Sequence, residues 1–303
     1  MPLLLPLLPL IAQVGPFSTV PGASRSTPVE QGVVRKPRGQ ADRTVPLAPP
    51  PEARSSRGKE CAAQVDEDAE QAVDMAQAWL AEGARGPGER AEANLCLGLA
   101  QSRLGAWGEA ETAFLAGRDA AGADRMLRAR LGAMAGNAAL AAGADARALA
   151  ALDGAKADAA PLGDAGLSAG IALDRARALV GLKRPDEAGA ALAEARAATP
   201  DNAEAWLLSA TLSRRQGKLA EAQAQIVRAA ELLPIDPAIG LEAGVIAMLA
   251  GHQEAARKSW ASVVTAAPDS AEAATAKGYL AQLGPAPAVA PSSAVAPSRT
   301  AKP

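Results

Sequence analysis

Aromatic residues are scarce in this sequence, since Phe, Trp and Tyr together make up 2% of its 303 residues. Apolar residues nevertheless account for 49%, so Ala and Leu carry most of the apolar content. Both are strong helix formers. Runs of β-branched residues with a period of two, which are typical of strands, are also missing. These two deficits favour an all-α fold over one that contains a sheet.

Residues that carry chemistry are equally scarce. His252 is the only histidine, which excludes a His pair for a metal and the HExxH motif. The stretch "RRQGKLA" contains Gly-Lys but lacks the upstream Gly and the Ser/Thr of a phosphate loop. Acidic residues cluster near residues 66–70, where solvated charge at a helix start explains them better than acid–base catalysis. The sequence therefore predicts no enzymatic activity, no metal site and no cofactor.

Charge is distributed unevenly along the chain. Residues 1–59 contain eight basic and three acidic side chains, a net charge of +5, whereas residues 60–283 contain 21 and 30, a net charge of −9. The part with helical patterning is thus mildly acidic and lacks the basic footprint of a nucleic-acid-binding protein. We therefore expect no nucleic acid among its partners.

The two ends of the chain differ in composition from its middle. Residues 3–14, within a possible signal-peptide region at 1–14, form an apolar run that is too short to span a bilayer but matches the core of a signal peptide. Residues 15–58 and 284–303 are rich in Pro, Ser, Gly and Ala and predict disordered segments. The apolar run predicts export to the periplasm without a transmembrane segment. A cytoplasmic protein whose apolar N-terminus is only a tether is the alternative.

A sparse pattern recurs every 34 residues in the middle of the chain. Proline closes each copy, at Pro200, Pro234 and Pro268. Alanine recurs inside each copy, at Ala188, Ala222 and Ala256. A small residue allows two helices to cross closely, Gly217 and Gly251 fit a turn that needs unusual φ, and proline ends the second helix. The period therefore predicts stacked pairs of antiparallel helices.

A fixed period of 34 residues built from two helices resembles the tetratricopeptide repeat (TPR) family, in its bacterial form. The resemblance implies a right-handed α-solenoid over residues 59–283, with disordered N- and C-terminal tails. Its copies would be 91–124, 129–162, 169–202, 203–236 and 237–270, preceded by a degenerate copy at 57–90 and followed by a capping helix at 271–283. The first helix of the degenerate copy is expected over residues 58–65. Longer loops are expected near 125–128 and 158–168.

The two cysteines, Cys61 and Cys96, are 35 residues apart, about one repeat. In the repeat register both fall on first helices of neighbouring copies, which lie side by side. If the protein is exported, a disulfide joins them. If it stays in the cytosol, the two residues are buried thiols.

The resemblance also implies where a partner would bind. In TPR proteins the first helix of each repeat lines a concave groove through its second, fifth, ninth, twelfth and thirteenth positions. These positions correspond to Leu95, Leu99, Arg103, Asn137, Leu140, Leu173, Arg177, Val180, Leu207, Thr211, Arg214, Arg215, Leu241, Val245, Met248 and Leu249. The surface they form is apolar with a few arginines, which suits a protein or peptide segment with apolar anchors and some acidic character.

The function expected from these observations is that of a non-catalytic scaffold in the cell envelope, which binds another protein through its concave groove. A cytosolic TPR adaptor and a self-assembling structural array are the alternatives. Asn137 is the only residue that matches the groove positions with which chaperone-binding TPR proteins hold a carboxylate, so a chaperone tail is not the expected ligand.

Overall fold

A computed structural model describes residues 55–84 and 86–284. The predicted signal region, most of the predicted linker and the C-terminal tail lie outside these residues. The described part contains thirteen α-helices, one 3₁₀ turn at Ala160–Leu162 and no strand. In chain order the helices are α1 (Ser56–Glu67), α2 (Ala69–Ala81), α3 (Pro87–Arg103), α4 (Trp107–Ala120), α5 (Arg125–Ala141), α6 (Asp145–Ala159), α7 (Ala165–Gly181), α8 (Pro185–Ala198), α9 (Ala203–Arg215), α10 (Leu219–Leu232), α11 (Pro237–Leu249), α12 (Gln253–Ala266) and α13 (Ala271–Leu283).

The helices form a right-handed solenoid of antiparallel pairs, which confirms the predicted fold class. Each odd-numbered helix is termed a first helix, and it packs against the even-numbered second helix that follows it. Each second helix packs in turn against the next first helix, and direct contacts also join α1 to α3, α5 to α7, α9 to α11 and α11 to α13. Every pair therefore buries its apolar residues against the pairs on either side of it.

Small residues mark the places where the two helices of a pair cross. A Cβ atom added to Gly98 would lie 2.5 Å from Phe114, one added to Gly136 would lie 2.4 Å from Leu152, and one added to Gly244 would lie 2.1 Å from Trp260. On the second helices, Ala188, Ala222 and Ala256 are fully buried, as expected of residues at close crossings. The 34-residue spacing thus follows from repeated contacts between a small and a large side chain.

The turn inside every pair from α3/α4 to α11/α12 uses a left-handed backbone. Gly217 and Gly251 adopt φ angles of 75° and 84°, which glycine accepts without a steric penalty. At the equivalent position between α7 and α8 the chain has Lys183, with φ of 60°. A lysine in this conformation costs about 1–2 kcal/mol, because its Cβ crowds the neighbouring carbonyl oxygen.

The structure corrects two expectations about helix lengths. Helix α1 spans Ser56–Glu67 rather than 58–65, because Ser55 caps its N-terminus and Asp68 alone separates it from α2. Residues 125–128 form the first turn of α5, which Asp124 caps, and not a loop. The second insertion is taken up by the 3₁₀ turn, by Gly163 and by the first turn of α7.

The two ends of the described solenoid are closed by different contacts. At the N-terminal end, a disulfide joins Cys61 on α1 to Cys96 on α3, whose Cα atoms are 6.1 Å apart. At the C-terminal end, the ring of Tyr279 on α13 lies 4.9 Å from that of Trp260, measured between centroids. Each contact ties a terminal helix to the pair beside it.

Candidate protein-binding surface

The first helices together form one face of the solenoid, which we call the first-helix face. It comprises the residues at the second, fifth, ninth, twelfth and thirteenth positions of each repeat on α3, α5, α7, α9 and α11. Successive pairs stack on each other, so equivalent positions of successive first helices follow one another along the solenoid. The structure allows each predicted groove residue to be assigned to the core, to an internal ion pair or to the accessible surface.

Three predicted groove leucines belong to the core, and a fourth predicted groove residue, Thr211, is also buried at 7% exposed. Leu95, Leu173 and Leu241 are 3%, 4% and 2% exposed. All three occupy the fifth position of their repeats, where only Leu207 on α9 keeps part of its surface exposed. A partner cannot touch them without opening the solenoid, so they support the surface without forming it.

The accessible apolar residues form a second group, called the apolar row. Its members are half-buried and lie against the core clusters with one side still exposed. They are Leu99, Leu140, Val180, Leu207, Val245 and Met248. Leu249, which follows at the end of α11, is 47% exposed. The row extends across five successive pairs, so it can follow an elongated partner.

Arg177, a predicted groove cation, is held inside a network that crosses three first helices. Its guanidinium bonds Asp174 on the same helix and lies 2.5 Å from Glu204 Oε1 on α9. Asn137 on α5 hydrogen-bonds Asp174 from the other side. Burial raises the pKa of Asp174, and the bonds from Arg177 and Asn137 oppose this only in part. Arg177 and Asn137 therefore fix neighbouring pairs to each other, and their polar groups are already satisfied.

Arg214 is also engaged by an internal partner. Its Nε atom donates to Glu242 Oε1 on α11 at 2.6 Å, and the Glu242 side chain is 3% exposed. Removing either partner would leave a buried charge uncompensated. The expectation that Arg214 meets an acidic partner is thus replaced by a structural role.

Arg103 and Arg215 remain as accessible cations on this face. Both are exposed, and neither makes an ion pair or hydrogen bond with residues 55–84 or 86–284. Arg103 is the last residue of α3 and Arg215 the last residue of α9. They occupy the same repeat position, three pairs apart.

Sequence reasoning missed the three acids that engage Arg177 and Arg214, which are Asp174, Glu204 and Glu242. Asp174 and Glu242 both stand at the sixth position of their repeats, 68 residues apart, in otherwise apolar stretches. A carboxylate inside an apolar helix face is unusual unless it is paired. That signal could have indicated internal partners for Arg177 and Arg214, although it could not have identified the pairs.

Features of other kinds of site are absent from the described part. No group of three or more His, Cys, Asp or Glu side chains there could hold a metal ion. No helix in residues 55–84 or 86–284 is both long and apolar enough to cross a membrane. His252 is exposed in the turn before α12.

Comparison with solved structures identifies the architecture. PilF from Pseudomonas aeruginosa superposes with a TM-score of 0.59 at 15% identity, covering 76% of this chain and 98% of that one. PilW, described as a type IV pilus biogenesis factor, superposes with a TM-score of 0.59 at 18% identity, covering 72% and 96%. BtubC from P. vanneervenii gives a TM-score of 0.55 at 16% identity, covering 82% and 100%.

The chain has the tetratricopeptide-repeat fold. No family model matches the sequence, and no curated protein matches it. At 15–18% identity the similarity is one of architecture. The TPR fold explains why only the crossing and turn positions of the repeat recur, while the residues of the first-helix face vary.

Proposed function

We propose that this chain is a non-catalytic scaffold that binds a segment of another protein on its first-helix face. The observation that carries the proposal is the apolar row, whose six side chains remain half-exposed across five successive pairs. Apolar side chains that stay partly exposed on successive pairs cost free energy unless a partner covers them. The engaged polar groups beside the row, such as those of Arg177 and Arg214, keep the surface rigid, which lowers the entropic cost of binding.

The experiment compares proteins recovered by affinity purification on two full-length variants. Leu140→Gln with Met248→Gln places two polar groups in the apolar row, and Val227→Gln makes the same change on the second helix α10, where Val227 is 46% exposed. We expect one or more proteins recovered with wild type and Val227→Gln to be lost with the double variant, and to bind again when purified components are mixed. Equal recovery on all three baits would contradict the proposal.

Self-assembly into an array is the competing function, and it predicts a different result. A molecular mass that rises continuously with concentration in light scattering would favour the array. A mass that is constant over the same range, together with selective loss of a partner, is expected for the scaffold.

We further propose that the protein works in the cell envelope. Two observations support this: the apolar run at residues 3–14 and the disulfide between Cys61 and Cys96, which are 1% and 3% exposed. Structural disulfides persist in oxidising compartments and are rare in the cytosol. Closing a loop of this length stabilises a fold by about 2–4 kcal/mol in the entropy model.

Intact-mass measurement tests this location. The protein is isolated from cells without reductant, denatured and alkylated, and its mass is compared with that of a sample reduced before alkylation. We expect no alkylation before reduction and two alkylated cysteines after it. Two reactive thiols in the unreduced protein would argue for the cytosol. Cell fractionation provides an independent check of the compartment.

A further inference from the structure

The last residues of the first helices form a row along one edge of the first-helix face. This helix-end row consists of Arg103, Ala141, Gly181, Arg215 and Leu249. Leu140 and Val180, which precede its two small members, are half-exposed. The edge therefore presents a cation at α3, two apolar side chains at α5 and α7, a second cation at α9 and an apolar end at α11.

Charge is segregated between the two layers of the solenoid. The first helices α3, α5, α7, α9 and α11 contain nine arginines and five acids, a net charge of +4. The second helices α4, α6, α8, α10 and α12 contain seven basic and twelve acidic residues, a net charge of −5. The layer that carries the apolar row is thus positive in a protein whose net charge is −2.

The acids of the positive layer already have partners. Asp174 and Glu204 bond Arg177, and Glu242 bonds Arg214. Glu92 accepts hydrogen bonds from the backbone N and the hydroxyl of Ser55, and Glu89 also makes a polar interaction. The charges of Arg103 and Arg215 are therefore not cancelled by a carboxylate on these five helices.

From this arrangement we infer that the helix-end row selects an extended peptide with two acidic side chains separated by about seven to nine residues and apolar residues between them. The inference rests on the proposed binding function of the first-helix face and adds the chemistry of the partner. Three steps between neighbouring helix axes span about 24–30 Å. An extended chain rises about 3.3 Å per residue, so about seven to nine residues cover that distance. The apolar residues between the acids then lie over Leu140 and Val180.

The chain's own ends are a poor match to this description in their overall charge. Residues 1–54 contain six basic and three acidic side chains, and residues 285–303 contain Arg299 and Lys302 with no acid. Both segments carry a net positive charge, which disfavours them beside Arg103 and Arg215. We therefore assign the peptide to a separate protein, and enriched peptides that match residues 42–52, where Asp42 and Glu52 flank mostly apolar residues, would overturn that assignment in favour of the chain's own N-terminal segment.

An arginine at the end of a helix also has a structural explanation, because it interacts favourably with the helix dipole. That explanation does not account for the pattern here. Helices α5, α7 and α11 end without a basic residue in the last turn. The dipole explanation further predicts a loss of stability when the arginines are replaced, whereas peptide selection predicts a change in binding specificity.

The experiment selects a phage-displayed library of random 16-residue peptides on the full chain. We expect enriched peptides to carry two acids about seven to nine residues apart with apolar residues between them. Binding of a synthetic enriched peptide, followed by fluorescence anisotropy, should weaken by about tenfold in Arg103→Glu with Arg215→Glu, since two exposed ion pairs are lost and replaced by repulsion. Lys258→Glu, an exposed charge reversal on α12, is the control and should leave the affinity unchanged.

The remaining results of the selection also support or overturn the inference. Selection on the double arginine variant should enrich basic residues at the same spacing. Enriched peptides without paired acids, or equal affinity for wild type and the double variant, would overturn the inference while leaving the scaffold function intact if Leu140→Gln still weakens binding. A selection that enriches nothing on the wild-type chain would count against both. Thermal melts of all variants separate a change in binding from a change in folding.

Discussion

The crossings and the ends of the first helices follow opposite rules. Where a first helix crosses its second helix, the same arrangement recurs, with Gly98 under Phe114, Gly136 under Leu152 and Gly244 under Trp260. At the helix ends the residue type changes from one pair to the next, from Arg to Ala, Gly, Arg and Leu. Repetition is found where the two helices of a pair must fit together. Variation is found where the solenoid has no internal requirement, and that is where a partner can be selected.

The largest loss of stability is expected when the close contact between the two helices of a pair is overfilled. Gly244→Ala would place a methyl group 2.1 Å from Nε1 of Trp260, which is 1% exposed and cannot move outwards. We expect a loss of about 3 kcal/mol in the free energy of unfolding, at the upper end of overpacking costs. Urea unfolding followed by circular dichroism measures it.

The matched control for this variant is Gly278→Ala. Gly278 holds the same repeat position on α13, 34 residues later, and has no atom within 4 Å of an added Cβ. Because alanine is the better helix former, this variant should gain about 0.5–1 kcal/mol. Equal losses for both variants would show that the crossing contact is not what makes glycine necessary at Gly244.

A buried ion-paired residue that does not recur from copy to copy, Asp158, provides the second prediction. Asp158 on α6 accepts hydrogen bonds from Arg118 on α4 and Arg128 on α5, at 2.8 Å and 3.0 Å, and is 7% exposed. Asp158→Asn should cost about 2–3 kcal/mol, since two partly buried guanidinium groups lose their counter-charge. Asp153→Asn, which breaks an exposed pair with Arg175, should cost less than about 1 kcal/mol.

The same carboxylate gives a pH dependence. Burial raises the pKa of Asp158, but the bonds from Arg118 and Arg128 outweigh it and hold that pKa below its ordinary value of 3.8. The stabilisation is therefore present above pH 3.8 and is lost as the pH falls through the lower, folded-state pKa. The difference in unfolding free energy between wild type and Asp158→Asn should shrink below pH 3.8. A difference independent of pH would mean that the ion pairs do not stabilise the fold.

A smaller effect is expected at the turn between α7 and α8. Lys183 adopts φ of 60°, where other repeats have glycine. Lys183→Gly should raise the free energy of unfolding by about 1 kcal/mol, because the strain of a left-handed lysine is removed at some entropic cost. Gly217→Lys should lower it by a similar amount. A loss of stability in Lys183→Gly would indicate that this turn is not strained.

The smallest effect on folding is expected at the helix ends. Arg103→Ala and Arg215→Ala should each change the free energy of unfolding by less than about 0.5 kcal/mol, as is usual for exposed residues without contacts. The variants Arg214→Ala and Arg215→Ala compare adjacent residues, of which the first is paired inside the solenoid and the second is exposed. Only Arg214→Ala leaves the buried charge of Glu242 without its partner, so only that variant should melt at a clearly lower temperature.

The amino-acid sequence predicted the solenoid because its repeated positions report directly on geometry. A small residue at a crossing and a glycine at a left-handed turn are local requirements, so the 34-residue spacing was sufficient to place the pairs. The position of the insertion at 125–128 was misjudged, although Asp124 followed by helix-forming residues carries the signal of a helix start. Helix capping determines where α5 begins, and the repeat spacing alone does not contain that information.

The candidate site was predicted only in outline. The positions implied by the TPR resemblance include buried residues such as Leu241 and internally paired ones such as Arg177. Pairing across helices depends on distances between residues that are far apart in the sequence, so the engagement of Arg214 by Glu242 could not be derived from either residue alone. The accessible part of the surface can be identified only after the residues that are buried or paired within the solenoid are excluded.

The central claim is that a partner binds the first helices and leaves the second helices exposed. Hydrogen–deuterium exchange of the full chain, with and without a partner recovered in the affinity comparison, tests it most directly. We expect slower exchange in α5, α7 and α9, with no change in α6, α8 and α10. Protection confined to the second helices would contradict it.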